Sequence, residues 1–212
     1  IPKNRIIVSG NPIYEVLNAY MAKIEKSDVL KRLNLLPEEY FLVTAHRAEN
    51  VDKRDRLNEI IVGLELVADS YDLPVICSVH PRTCEKIKKF GIKIKNSHIK
   101  LMEPFSFFDF VKLEKNAKLV LTDSGTVQEE CCIFNVPAVT MRDTTERQET
   151  VECKSNIVSG IDSENILNCT KIMLSAGNDW TYPEGYIVED VSDKVVKYIN
   201  GNLDYNSLGW LP

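Results

Sequence analysis

The chain has 212 residues, of which 44% are hydrophobic and 27% charged, and its net charge is −5 at pH 7. That size and balance fit one soluble α/β domain with a sizeable core. The acidic charge excludes a general attraction to nucleic acid or anionic lipid, so any anion must be held at a local site. No apolar run is long enough to span a bilayer, and no signal peptide precedes the first expected strand.

In chain order, an expected strand over residues 5–8 leads into helices over 11–23 and 28–33. A strand over 40–44 is followed by a helix over 55–70, and a strand over 74–79 by a helix over 83–90. Strands over 99–102 and 118–122 precede helices over 107–116 and 126–135. Strands over 138–141 and 156–158 lead to a helix over 163–175, and a last helix covers 192–200. The strand segments are short and apolar on both faces, as buried parallel strands are. Strand–helix alternation predicts a doubly wound parallel sheet with helices on both faces. The tail after Gly201 carries Leu203, Tyr205, Leu208 and Trp210, and is expected to dock on another surface. The six cysteines (Cys77, Cys84, Cys131, Cys132, Cys153 and Cys169) form no C-x-x-C pair, and His46, His80 and His98 complete no zinc spacing. They read as buried thiols of a cytoplasmic protein. The chain opens on Ile1 rather than Met, as expected of a processed product or a piece of a longer protein.

In such a sheet, ligands bind beyond the carboxyl ends of the strands, which selects residues 45–52, 80–83, 103–106, 123–126 and 142–149. The most informative run is Leu119–Glu130, where a strand meets the turn Asp123-Ser124-Gly125 and a helix begins near Thr126. Unpaired N–H groups and a partial positive charge at a helix start suit phosphate. Ser124 adds a hydroxyl donor, Gly125 lets backbone approach an anion, and Glu130, one turn on, is placed to accept from ribose hydroxyls. Thr126-x-x-Glu129 reads as a capping box, which assigns Glu129 to the helix start. In Thr44–Asn50, His46 offers a ring to a phosphate or leaving oxygen and Arg47 a bidentate clamp; the competing reading is a solvated loop. Arg142 and Arg147 bracket Thr144, Thr145 and Glu146, a group that suits a diphosphate or sugar almost as well as a self-paired turn. His80 is either a rim residue or a polar cap. His98 reads as exposed and uninvolved. Phe107 and Phe110 follow core spacing, whereas Phe105 lies in a ligand-facing loop and can flank a base. No pair of carboxylates stands out as an acid/base couple.

Together, Ser9-Gly10-Asn11, Thr44-Ala-His-Arg-x-Glu-Asn50, His80-Pro81, Leu121-Thr-Asp-Ser-Gly-x-x-Gln-Glu-Glu130 and Arg142-Asp-Thr-Thr-Glu-Arg147 resemble the non-hydrolysing UDP-N-acetylglucosamine 2-epimerase family in order and spacing. The resemblance implies a Rossmann-like sheet forming the C-terminal, UDP-binding half of a GT-B fold over residues 1–190. Residues 191–212 would supply a closing helix and tail that pack on an absent N-terminal domain. It implies inversion at C2 of UDP-N-acetylglucosamine, or of a modified UDP-amino sugar, by elimination of UDP to a 2-acetamidoglucal and re-addition. No metal or nicotinamide cofactor is implied. Ser124 and Gly125 would hold the diphosphate, Glu130 the ribose, and Phe105 the uracil; His46 would lie by the phosphates as the catalytic candidate, and Arg142 and Arg147 on the sugar side. Positions matching Arg47 and His80 touch a second, regulatory UDP-sugar in bacterial members. The chain departs from the family pattern at Gln148, where Pro is usual, at Cys131-Cys132, and at Lys154, where Gly is usual. Other readings are the C-terminal half of a GT-B glycosyltransferase, a hydrolysing 2-epimerase, or a non-catalytic UDP-sugar-binding regulatory subunit. An uncovered interdomain face would favour a homodimer.

Overall fold

Residues 6–201 are described by the computed structural model. The short apolar segments form six strands: β1 (Phe41–Thr44), β2 (Val75–Ser78), β3 (Ile99–Met102), β4 (Leu119–Thr122), β5 (Ala138–Thr140) and β6 (Asn156–Val158). They pair in the order β3-β2-β1-β4-β5-β6, and every pair is parallel. The chain builds outward from β1 in one direction and then returns to its other side for β4. This reversal opens a crevice between the carboxyl ends of β1 and β4.

Alternate strand residues enter separate cores. Phe41, Val43, Val75, Cys77, Leu119 and Leu121 pack with α4 (Arg54–Tyr71), α5 (Pro81–Phe90) and α9 (Ser163–Ala176). Leu42, Ile76, Val120 and Ala138 face the opposite layer, made by α2 (Val29–Leu33), α6 (Phe107–Lys115) and α7 (Gly125–Phe134). A third cluster joins α1 (Ile13–Glu25) to α6 and α7 through Leu17, Ile24, Val111 and Cys132. Helix α4 approaches α9 so closely at Gly63 that an added Cβ would sit 2.9 Å from Ile166 Cδ1. Side chains fix two helix starts: Ser106 accepts from the Asp109 amide at 3.3 Å, and Asp162 from the Asn165 amide at 2.9 Å. All six cysteines are free thiols, and four of them are buried. No helix among the described residues is long and apolar enough to cross a membrane.

Two expectations change. Residues 6–8 form no strand: no strand of the sheet pairs with them, and Ile6, Ile7 and Val8 stay 58%, 47% and 92% exposed. Two short helices, α3 (Ala48–Val51) and α8 (Gln148–Glu152), occupy segments expected to be loops. Each spans barely one turn, too little for apolar periodicity to register. The last helix, α10 (Val191–Gly201), is tied to α1 where the Ser192 amide donates to Glu15 at 2.9 Å. Beyond the buried Val191, its Val195, Val196 and Ile199 remain exposed. The apolar tail expected to dock lies outside the described residues.

Lys154, at the usual glycine position, adopts φ +74° between α8 and β6. A side chain in this left-handed region costs about 1–2 kcal/mol, partly offset by the greater unfolded-state freedom of glycine. Lys154→Gly is expected to raise the unfolding free energy by about 0.5–1 kcal/mol in urea denaturation. A lower value would show that the backbone is not strained there.

Candidate functional site

At the crevice, the turn after β4 and the loop after β1 are joined by one carboxylate. Asp123 is fully buried. It accepts from the His46 amide at 3.0 and 3.2 Å, the Arg47 amide at 2.8 Å and the Asn50 side-chain amide at 3.2 Å. Arg47 Nε also donates to the Asp123 carbonyl at 3.2 Å. Asn50, itself buried, donates a second bond to the Met141 carbonyl at 3.0 Å and so draws in the end of β5. Asp123 thus gathers three strand ends around one point.

Helix α7 begins at Gly125, with Ser124 at its N-cap. The Ser124 hydroxyl caps none of the first amides, which leaves it and the helix start available to a ligand. Arg147 lies over this turn: a Cβ on Gly125 would meet its Cζ at 3.6 Å. Its Nε forms an ion pair with Glu129 at 2.5 Å. The capping-box reading of Glu129 therefore fails, because the helix starts earlier than Thr126 and the carboxylate faces Arg147. Burial raises the Glu129 carboxyl above the usual range, against the lowering effect of that cation.

A buried amide network supports the segment that carries Arg147. Gln128 accepts from Thr145 Oγ1 at 2.6 Å and from Asn156 at 3.3 Å, while its own amide donates to the Ser124 carbonyl at 3.2 Å. Asn156 in turn accepts from Thr140 at 2.8 Å. Gln148, at the position where proline is usual, donates to the Thr145 carbonyl at 3.1 Å and keeps this segment bound to itself.

Arg142 is buried, with its guanidinium held by Glu49 at 2.9 Å and by Glu146 at 2.7 and 3.0 Å. These bonds hold Glu146 down to about 2 and push the Arg142 guanidinium above its usual value. Arg142 is engaged with two carboxylates and connects the loops after β1 and β5. Arg47 is half-buried, with one guanidinium nitrogen 4.0 Å from Glu146. His46 is exposed, its Nδ1 3.4 Å from Thr44 Oγ1. It lines a cavity of about 410 Å³ with Ser78, His80, Arg82 and Pro104. His80 also caps α5, where its ring accepts from the Arg82 amide at 3.3 Å. His98 lies away from the crevice, 3.3 Å from Asp72. Phe105 is half-buried against the α6–α7 core, at the mouth of the loop after β3.

Glu130 sits farther along α7 and is only 5% exposed. It meets Glu114 of α6, which is fully buried. This is a carboxylate pair that sequence alone did not bring together, since its members lie on different helices. Burial raises Glu130 to about 7; the hydrogen bond to Glu114 lowers it and the charge of Glu129 raises it.

Asp123, Asn50 and Gln128 are organising residues that the sequence showed only as members of motifs. Their signal was a polar side chain where a strand end enters the core. Replacing Asp123 by Asn swaps an acceptor for a donor facing three N–H groups. Asp123→Asn is expected to lower the unfolding free energy by about 2–4 kcal/mol, with faster hydrogen exchange at the His46 and Arg47 amides. Unchanged stability and exchange would remove Asp123 from the centre of this arrangement.

The model of the family described as UDP-N-acetylglucosamine 2-epimerase matches residues 1–200. The UDP-N-acetylglucosamine 2-epimerases of Methanocaldococcus jannaschii and Methanococcus maripaludis are each 42% identical over 191 residues, covering 87% of this chain and 52% of the relative. The crystal structure of the M. jannaschii UDP-GlcNAc 2-epimerase in complex with UDP-GlcNAc and UDP superposes with a TM-score of 0.88 at 40% identity, over 95% of this chain and 56% of that one. The chain thus spans about half the length of the curated relatives it matches. With the match running through strand switch, turn and flanking loops alike, the chain belongs to the UDP-N-acetylglucosamine 2-epimerase family.

Proposed function

We propose that the chain is the UDP-binding half of a UDP-N-acetylglucosamine 2-epimerase, which interconverts UDP-N-acetylglucosamine and UDP-N-acetylmannosamine, or a modified UDP-amino sugar, by eliminating and re-adding UDP. The observation that carries this reading is the uncapped start of α7 at the crevice, with Arg147 lying over Gly125. The diphosphate binds the first amides of α7 and the Ser124 hydroxyl, against the backbone at Gly125. Glu130 accepts from the ribose and Phe105 flanks the uracil. His46 lies beside the phosphates. As the bond to the sugar breaks, negative charge grows on the departing UDP, and fixed N–H dipoles with Arg147 answer it without reorganising. Arg142 contributes by holding the loops together, since Glu49 and Glu146 already occupy its guanidinium.

Proton removal and return at C2 belong to a further N-terminal domain, for which the exposed apolar residues of α10 offer a seat. The chain alone then binds UDP without turnover. The cavity shared by His46 and His80 would take a second, regulatory UDP-sugar, whereas Arg47 turns toward Asp123 and Glu146.

Calorimetric titration of UDP into the 212-residue chain is expected to give micromolar to millimolar binding. Glu130→Ala should weaken it at least about tenfold, the effect of losing a charge-assisted hydrogen bond. Wild-type protein that binds no UDP, or a mutant that binds equally well, would overturn the assignment of this crevice.

A further inference from the structure

The pair formed by Glu114 and Glu130 has a chemistry that the proposed reaction does not use. Glu114 lies on α6, near the buried Val111, Leu113 and Ala117 in sequence, and has no solvent exposure. One carboxyl oxygen accepts from the Cys131 thiol at 3.3 Å. The other, Oε2, is buried and has no donor facing it among the described residues. The carboxylate neighbour of Glu114 across the α6–α7 contact is Glu130. Two ionised carboxylates cannot share such a space without a cation, so the contact requires a proton between them.

Nearby cations are committed elsewhere. Lys112 and Lys115 of α6 pair with Glu25 of α1, Arg32 of α2 with Asp28 and Asp109, and Arg147 with Glu129. Glu129, from α7 itself, adds only further negative charge. Of the two acids, Glu114 is the more enclosed, and burial together with the charge of Glu130 raises its carboxyl well above the usual range. The proton therefore resides on Glu114. An apolar side chain would fill the same interface without burying a carboxyl.

We propose that Glu114 is a positioning residue, which keeps its proton and donates it from Oε2 to Glu130, so that Glu130 is fixed as a carboxylate with an oxygen left for the ligand. The proposal rests on Glu130 being the ribose acceptor. The donated bond favours the ionised form of Glu130. Without it, Glu130 ionises at higher pH and its carboxylate loses its orientation.

Two measurements test this. Infrared difference spectroscopy of the ligand-free chain at mildly alkaline pH is expected to show a protonated-carboxyl band that shifts in deuterium oxide and is absent from Glu114→Gln. Calorimetry then follows binding of UDP-N-acetylglucosamine, whose diphosphate is esterified at both ends and does not titrate near neutrality. Wild-type affinity is expected to rise with pH as Glu130 ionises. Glu114→Gln, whose amide still donates, should keep the same midpoint and bind within about threefold of wild type. Glu114→Leu should fold as stably, shift the midpoint to higher pH and bind about tenfold more weakly at neutrality. Absence of the infrared band, or a wild-type affinity and pH profile in Glu114→Leu, would overturn the proposal. A band in a wild-type chain that binds no nucleotide sugar would instead overturn the ribose role of Glu130, and the positioning role with it.

Discussion

Asp123 has no access to solvent, so its carboxylate must be satisfied by the protein, and its donors come from a different strand's loop. They reach it only if β1 and β4 lie side by side with their carboxyl ends level. The register provides this, with Thr44 opposite Thr122. A slip between the two strands would leave a buried carboxylate and the His46 and Arg47 amides without partners, at a cost of several kcal/mol. The buried charge therefore makes the strand switch point and the ligand crevice one cooperative feature. Hydrophobic packing alone would tolerate small slips far more readily, since the strands are apolar on both faces.

Satisfying these groups internally separates the residues that build the site from those that can meet a ligand. Asn50, Gln128, Thr145 and Asn156 are buried and bonded to one another or to strand ends. Arg142 belongs with them despite its charge. Ser124, His46, Arg47 and Arg147 keep side-chain surface at the crevice. The result is a rigid backbone with a small set of accessible polar groups, the arrangement needed when catalysis depends on dipoles already in place.

Much of this was legible in the sequence. Short runs such as Phe41–Thr44 and Leu119–Thr122 announce buried parallel strands because both alternating faces are apolar. Polar loops at their carboxyl ends then mark the crevice. What stayed hidden depends on three-dimensional partners. Ile6–Val8 has strand composition but nothing to pair with. Glu129 fits a capping pattern, yet its position is set by Arg147, eighteen residues later in the chain. Glu114 looks like one more charge on an amphipathic helix until α7 brings Glu130 against it. Pairings of this kind carry no local period, so they are written only in the packing.

The shared proton bears on the proposed function. A nucleoside diphosphate is polyanionic, and in the proposed site a glutamate accepting from the ribose adds negative charge only about one and a half helical turns, or about 7.5 Å, from the helix start that would hold the phosphates. Two ionised glutamates there would oppose the same ligand that the α7 dipole attracts. A proton held on Glu114 limits the pair to one charge and directs that charge, on Glu130, toward hydroxyl donors. Enclosed beneath Glu130, the same proton is badly placed to be delivered to a sugar carbon. On the proposed function, this arrangement suits gripping UDP and absorbing the charge of its departure rather than moving the C2 proton, so the acid and base of epimerisation would come from elsewhere.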